Sequence, residues 1–293
     1  EGLQHPGWLD AQLGAVQAAW QAGDLQTAWL GALGMERALG SLTFQQCRGD
    51  PSMMGNLGVG LPSHSGRGFF DELFRDPAKA AAQAGSIALS VGWTLWLSYP
   101  DERWLLEQQQ VWHEGIRRMA ARQSVAQAEL WMKSERDKLV QPSRMFCFLS
   151  SQITPAMENA HKKLACAETT RRLTFTAIAL HRHRLKHGQF PVSLGALVPE
   201  FLAEVPRDFM DGQPLRYKLD PDGQFRLWSV GEDFKDDGGD SMPVGAHSTN
   251  SFDWLKGRDW VWPQAATEAE VAVYHAELEA KRVKAAPLSP PAP

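Results

Sequence analysis

The sequence predicts an α+β protein in which a mostly α-helical N-terminal domain precedes a long helix packed on a small antiparallel β-sheet. Three observations lead to this prediction. Apolar residues recur at helical spacing, and no run in the first 150 residues alternates convincingly with a period of two. A regular amphipathic helix pattern covers residues 156–187. Two short extended segments then flank a hairpin turn signature at residues 220–223.

The first half of the chain is predicted to be helical throughout, apart from one long loop. Residues 8–40 form two helices, with Asp24 as the N-cap of the second. Residues 47–68 are rich in Gly and Pro, which is typical of a loop. The elements expected after this loop are short helices at 69–84 and 85–98, a break at 99–101, and a long helix over 102–138 started by Asp101 and Glu102.

The predicted domain organisation has three parts. Pro142 and Pro155 mark a boundary, which divides an α-helical domain at 1–150 from a helix-plus-sheet module at 151–265. The module's helix ends at His187 and Gly188, with basic residues in its last turn. Residues 266–293 are expected to form a polar helix followed by a Pro-rich tail.

Composition excludes some classes of protein. The net charge of −4 over 293 residues indicates no nucleic-acid partner. Three cysteines without C-x-x-C spacing, Cys47, Cys147 and Cys166, exclude a disulfide framework and a zinc site. The sequence is compatible with one disulfide bridge and equally with three free thiols. Most of the 12 Trp residues are expected to pack in the core.

Membrane contact is expected only through a missing N-terminal anchor. Residues 1–20 lack the basic start and apolar stretch of a signal peptide. The most apolar run, residues 84–99, contains two glycines and is shorter than the ~20 residues that span a bilayer, which predicts a buried helix. Because the chain begins with Glu1, removal of a leader or anchor remains open.

Seven signals follow one another in a specific order between residues 172 and 263. The helix that ends at 187 is followed by the segments HGQFP at 187–191, SLGALVP at 193–199, VPRDF at 205–209, DGQPLRY at 211–217, FRLWSVG at 225–231, an Asp/Gly loop at 233–240 and RDWVW at 258–262. Gly188 permits a left-handed cap and Pro191 stops the helix. Tyr217 and Trp228 supply apolar bodies that cover the helix.

This succession resembles the globular C-terminal part of the major pseudopilins of type II secretion, over about residues 156–263. The combination with a preceding helical region is similar to uncharacterised proteins of planctomycete-like bacteria. The resemblance implies a structural or interaction role in the periplasm or cell envelope, linked to secretion or pilus-like machinery. The sequence departs from this family in two ways, so the resemblance does not imply fibre formation. Phe209 stands where the family usually has proline, and no polymerising apolar helix precedes the module.

The Asp/Gly loop is the candidate metal site. Asp233, Asp236, Asp237 and Asp240 surround two glycines, and Ca²⁺ prefers several oxygen ligands on a bendable loop. The spacing is not that of an EF-hand. The resemblance implies calcium in the corresponding region, whereas the residues alone favour a solvated acidic loop.

No catalytic signature is found, and the remaining candidates are weak. His183 and His187 share a helix face, but the neighbouring Arg and Lys side chains favour a basic surface over a metal site. His113 and Glu114 begin a zinc-protease pattern that fails at Arg117. The glycine-rich segment 55–60 matches neither a dinucleotide fingerprint nor a phosphate-binding loop. The loop containing Ser63, His64 and Ser65 leaves a cryptic nucleophile open.

The sequence therefore predicts a non-enzymatic interaction protein with an unidentified protein partner. Two rival functions use the Trp-rich helical half: a hydrolase, and a protein that binds sugars or peptides by stacking on exposed Trp rings. A pocket at 47–68 with convergent polar groups would favour the hydrolase, and coplanar exposed Trp rings in a groove would favour the binding protein. A flat exposed apolar patch would favour assembly.

Overall fold

The computed structural model describes residues 3, 5, 7–50, 53, 78, 85, 88, 89, 91–139, 147–240, 258–262, 272, 275 and 276, leaving aside the side chains of residues 152 and 155–160. The elements in this part of the chain are the helices α1 (Asp10–Ala22), α2 (Leu25–Gly49), α3 (Ser98–Arg122), α4 (Val125–Lys138) and α5 (Ser150–His187), and the strands β1 (Arg216–Leu219), β2 (Phe225–Val230) and β3 (Asp259–Val261). A π-helical turn at Trp93–Leu97 precedes α3, and a 3-10 turn at Leu194–Leu197 follows α5. The predicted α+β class is confirmed at this coarse level.

The three strands form one antiparallel sheet in the order β1-β2-β3. The hairpin between β1 and β2 closes where the Gly223 N–H donates to the Asp220 carbonyl at 2.9 Å, with Gly223 at φ +79°. Glycine adopts this left-handed conformation without a steric cost. The predicted hairpin and its turn are confirmed.

The long helix α5 packs against the sheet and ends as predicted. Gly188 lies at φ +78°, and its N–H donates to the Arg184 carbonyl at 2.8 Å. The largest core cluster combines α5 and sheet side chains, such as Leu180 and Leu227, with Met119 and Val125 of the helical half. The division of the chain at residue 150 stays a prediction, and this core contains residues from both sides of it.

The first two helices form where the periodicity places them. Asp24 caps α2 by accepting a hydrogen bond from the Thr27 N–H at 2.9 Å, as predicted. Helix α1 packs on α5, and two polar contacts fix its position there. The Gln17 amide donates to the Phe201 carbonyl at 2.7 Å, and Arg182 pairs with Asp10 at 2.7 Å.

The long helix predicted over 102–138 is wrong, because the chain breaks between α3 and α4. Gln123 has a left-handed backbone at φ +55°, and the Ser124 hydroxyl accepts from the Gln127 N–H. The first N–H groups of α4, at Val125 and Ala126, donate to the carbonyls of Phe209 and Met210, each at 2.9 Å. A loop that is distant in sequence therefore accepts the hydrogen bonds of the first N–H groups of α4. The spacing of apolar residues does not reveal such a contact.

The break predicted at 99–101 is also wrong. Helix α3 begins at Ser98 and continues through Pro100. Proline is tolerated in the first turn of a helix, where its missing N–H has no intrahelical partner to lose.

The apolar run at 84–99 does not form the buried helix expected from the sequence. Among its described residues Trp93 is buried, but Leu89, Val91, Leu95, Trp96 and Tyr99 are exposed. None of the described helices combines the length and apolar character that crossing a membrane requires. The predictions for the loop at 47–68 and for the polar helix and tail at 266–293 lie almost entirely outside the described residues.

Candidate functional site

A buried carboxylate, Asp208, organises the loops at one end of the sheet. It accepts four hydrogen bonds, from the Ser229 hydroxyl (2.6 Å), the N–H groups of Met210 and Val230 (2.9 Å each) and the Arg216 guanidinium (2.8 Å). Burial raises the pKa of Asp208 to about 6, while the Ser229 hydroxyl and the two N–H groups act to lower it. The network joins β2 to the loop that caps α4.

Arg216 extends this network toward the predicted calcium loop. Its guanidinium contacts Asp211 at 2.5 Å and Asp236 at 3.4 Å, in addition to Asp208. A fixed cation therefore lies among three carboxylates. An ion pair of this kind neutralises part of the negative charge that a bound metal would otherwise use.

The four predicted calcium ligands have different partners. Asp233 accepts from the Lys235 N–H at 3.2 Å, and Asp240 contacts Arg258 at 3.3 Å. Asp236 accepts from the indole N–H of Trp228 at 2.9 Å. Burial acts to raise the pKa of Asp236, but the Trp228 and Gly238 N–H groups and Arg216 lower it overall. The Asp237 backbone N–H donates to Asp259 at 3.1 Å.

Asp259, a buried acidic group beside this loop, was not among the predicted ligands. One carboxylate oxygen, Oδ2, accepts from the N–H groups of Asp237 (3.1 Å) and Gly239 (2.8 Å). The other, Oδ1, is buried and has no hydrogen-bond partner among the described residues. Burial raises the pKa of Asp259, and nearby Asp236 adds to this effect. Across the described ranges, no cluster of three or more His, Cys, Asp or Glu side chains has a geometry able to hold a metal ion.

A second buried carboxylate, Asp101, fixes the π-helical turn of the helical half. It accepts from the indole N–H of Trp93 at 2.9 Å and from the N–H groups of Leu149 (2.8 Å) and Ser150 (3.2 Å). The Ser150 hydroxyl donates to it as well. Asp101 was predicted to start its own helix, whereas its side chain caps the N-terminus of α5.

Trp93 is buried, but apolar side chains close to it in the sequence are exposed to solvent. We call Leu89, Val91, Leu95, Trp96 and Tyr99 the π-turn surface. Trp96 is 74% exposed, Tyr99 68% and Leu95 63%. Val91, Leu95 and Tyr99 follow at intervals of four residues, which places them on one helix face. The Arg48 guanidinium lies 4.3 Å from the centre of the Tyr99 ring and pairs with Glu102 at 2.7 Å, so a polar rim borders this face.

The histidine, glutamate and cysteine residues considered in the sequence show no assembled site in the part of the chain that the structure describes. The rings of His183 and His187 lie 4.4 Å apart, and the Nδ1 atom of His183 is 3.0 Å from the Gln189 carbonyl. Glu114 pairs with Arg118 at 3.0 Å. Cys47, Cys147 and Cys166 are free thiols, and burial raises the pKa of Cys166 to about 11. Ser63, His64 and the segment at 55–60 lie outside the described residues.

No family model, curated protein or solved structure matches this chain. The residues that the structure adds, Asp101, Asp208, Arg216 and Asp259, have partners far along the chain or in loops. Asp208, Arg216 and Asp259 lay within motifs that the sequence singled out, but none of them stood out there as a site.

Proposed function

We propose that the protein is a non-enzymatic interaction protein that docks a protein partner on the π-turn surface. The observation that carries this proposal is the exposure of five apolar side chains within the described residues of 89–99. Contiguous exposed apolar groups cost free energy in water, and on soluble proteins they mark interaction sites.

The composition of the surface suits a protein–protein contact. Trp and Tyr are enriched in the residues that dominate binding energy, because they bury a large area with few rotatable bonds. Arg48 supplies a charged rim beside Tyr99, as is typical of protein interfaces. The hydrogen bond between Trp93 and Asp101 holds the turn in place before any partner arrives. Preorganisation of this kind lowers the entropic cost of binding.

We further propose that this partner belongs to secretion or pilus-like machinery outside the cytoplasm. The support is the order of motifs in residues 156–263, together with a long helix packed on a three-stranded antiparallel sheet. Fold likeness alone does not assign function, so this part of the proposal depends on identifying the partner.

Photo-crosslinking in cells that produce the protein tests both parts. A photoreactive phenylalanine analogue replaces Trp96, and the same analogue at Val192, which is 83% exposed in the module, serves as the control. We expect one protein adduct from position 96, none from position 192, and loss of the adduct when Leu95→Ser is added.

The adduct distinguishes the alternatives. An adduct with a component of secretion or pilus-like machinery supports the full proposal, and an adduct with another protein supports only the interaction role. A captured glycan or short peptide would favour the sugar- or peptide-binding protein, and equal labelling at both positions would contradict the docking surface.

We also propose calcium as a ligand of the Asp233–Asp240 loop, as the resemblance implies. The unpartnered Oδ1 of Asp259 is the observation in its favour, because a buried carboxylate oxygen gains most from a nearby cation. Asp237 and Asp259 would be the principal ligands and Asp233 a further one. Asp236 is held by Trp228 and Arg216.

Thermal unfolding with and without calcium tests this site, with EDTA as the reference state. If calcium binds, a concentration one hundred times Kd raises the free energy of unfolding by about 2.7 kcal/mol. Asp237→Ala should abolish the rise, and Asp222→Ala in the β1–β2 turn should keep it. An unchanged melting temperature at millimolar calcium would contradict the proposal.

A further inference from the structure

A cavity of about 430 Å³ lies where the helical half meets the loop after β2. Its apolar walls are formed by Trp112 of α3, by Ala126, Leu130 and Met132 of α4, and by Phe234 of the loop. The volume falls within the range of small-molecule sites, which are mostly apolar with a few placed polar groups. Neither the π-turn surface nor the calcium loop proposal depends on this cavity.

A smaller cavity of about 90 Å³ adjoins it, and the two share Glu129, Lys162 and Phe234 in their walls. Trp260 lines the smaller cavity and is 1% exposed. Its indole N–H has no hydrogen-bond acceptor among the described residues. A buried donor without an acceptor is costly, and an acceptor atom of a ligand or a water in this cavity would satisfy it.

Phe234 closes both cavities at a conformational cost. Its backbone lies at φ +59°, a left-handed region that bulky residues rarely adopt. The Phe234 N–H donates to the Gly231 carbonyl at 3.1 Å, which fixes the turn. Strain of this kind persists where the surrounding structure enforces it, and it clusters at ligand sites. The aromatic ring therefore lies between the module and α4 although glycine would suit the backbone better.

The charge of the larger cavity is mainly positive. Lys133, Arg136 and Lys162 line it, together with one carboxylate, Glu129, and the buried His161. Lys133 and Lys162 have no ion-pair partner among the described residues, whereas Lys138 pairs with Glu135 and Lys186 with Glu200. Two unpaired ammonium groups beside an apolar wall match an anion that carries an apolar body.

We propose that this cavity binds a small amphipathic carboxylate. Its apolar body would lie between Trp112, Leu130 and Phe234, and its carboxylate would accept hydrogen bonds from the ammonium groups of Lys133 and Lys162. Leu130, at the mouth of the cavity, is 71% exposed and would be covered by the ligand.

Calorimetric titration of the full chain with octanoate tests the proposal, with octylamine and 1-octanol as probes of the same length. We expect octanoate to bind, octanol to bind at least tenfold more weakly, and octylamine not to bind. Lys162→Gln should weaken octanoate binding about tenfold, the equivalent of one charge-assisted hydrogen bond. Lys163→Gln removes the same charge from the next position of α5, outside the lining, and should leave the affinity unchanged.

A second pair of variants separates this cavity from other apolar surfaces. Phe234→Gly relieves the backbone strain but removes a ring that packs on the core, so the variant should stay folded with a lower melting temperature while octanoate binding is lost. Trp96→Ser on the π-turn surface should not change the affinity. The proposal is overturned if octanoate does not bind at millimolar concentration, if octanol binds equally well, if Lys163→Gln weakens binding as much as Lys162→Gln, or if folded Phe234→Gly retains full affinity.

Discussion

Asp101 in the helical half and Asp208 in the module are both fully buried, and each accepts four hydrogen bonds. They differ in the charge of their donors. Asp101 is held by an indole, a hydroxyl and two backbone N–H groups, all of them neutral. Asp208 has one cationic donor, Arg216, which also contacts Asp211 and Asp236.

This difference shows two ways of placing a carboxylate in a core. Asp101 acts as a helix cap across the chain, because it satisfies the first N–H groups of α5 from a residue of α3. Asp208 anchors an ion-pair network, and its loop in turn caps α4 through the carbonyls of Phe209 and Met210. Each half of the described chain therefore depends on the other for a helix start.

The largest effect is expected at Asp208. Asp208→Ala leaves two backbone N–H groups without their acceptor, removes the shorter of the two hydrogen bonds open to the Ser229 hydroxyl, and removes one partner of Arg216. We expect a loss of about 3–5 kcal/mol in the free energy of unfolding, measured by urea denaturation. Asp222→Ala, an exposed aspartate of the hairpin turn, is the matched control and should change stability by less than about 0.5 kcal/mol.

A smaller loss at Asp208 than at Asp101 would reverse the comparison between the two carboxylates. It would mean that Asp211 and Asp236 alone are sufficient partners for Arg216. The Asp208 carboxylate would then be a minor member of the network.

Asp101→Ala should cost about 2–4 kcal/mol, because α5 loses its cap and the indole N–H of Trp93 loses its acceptor. Urea denaturation measures the loss, and Asp137→Ala on the exposed face of α4 is the control. Since Trp93 anchors the π-turn surface, the same variant should reduce crosslinking from position 96. Intact crosslinking in a destabilised Asp101→Ala protein would show that the surface is held by other contacts.

The smallest effect concerns His181, a half-buried histidine of the module. Burial, followed by the charge of Arg184, lowers the pKa of His181 from 6.5 to about 4. The unfolded chain then binds a proton at His181 that the folded chain does not, so the contribution of His181 to stability falls as pH drops from 6.5 toward 4 and does not change above 6.5. Allowing for partial exposure, the loss is about 2 kcal/mol.

His181→Leu should flatten this part of the stability curve, measured as melting temperature against pH. His113 in the helical half, whose pKa is lowered by burial and by Arg117, provides the comparison. An equal flattening by His113→Leu would show that the effect is not specific to the half-buried position of His181 beside Phe190 and Phe225.

Prediction from the sequence succeeded where structure is local. The hairpin turn at 220–223, the Asp24 cap and the end of α5 at Gly188 each depend on residues a few positions apart. It failed where a distant segment intervenes. The break before α4 depends on carbonyls at residues 209 and 210, and the buried helix expected at 84–99 is exposed on one face.

The candidate sites show the same limit. Composition pointed to the Asp/Gly loop. The different hydrogen-bond partners of its aspartates and the unpartnered Oδ1 atom of Asp259 depend on the tertiary structure. The cavity beside Phe234 joins α3, α4, α5 and the loop after β2, and no short motif contains that combination. The sequence pattern therefore predicted a site at the acidic residues and did not predict the cavity lined by Lys133 and Lys162.

The sequence by itself determined the α+β class, the Asp24 cap, the end of α5 and the hairpin, because periodicity and turn residues act over one or two turns of chain. Only the tertiary structure decided which carboxylates are buried, which tryptophans face water and where a cavity remains. These features depend on contacts such as the one between Asp101 and Leu149, 48 residues apart. Their free energies come from desolvation and packing between segments, which no local pattern records.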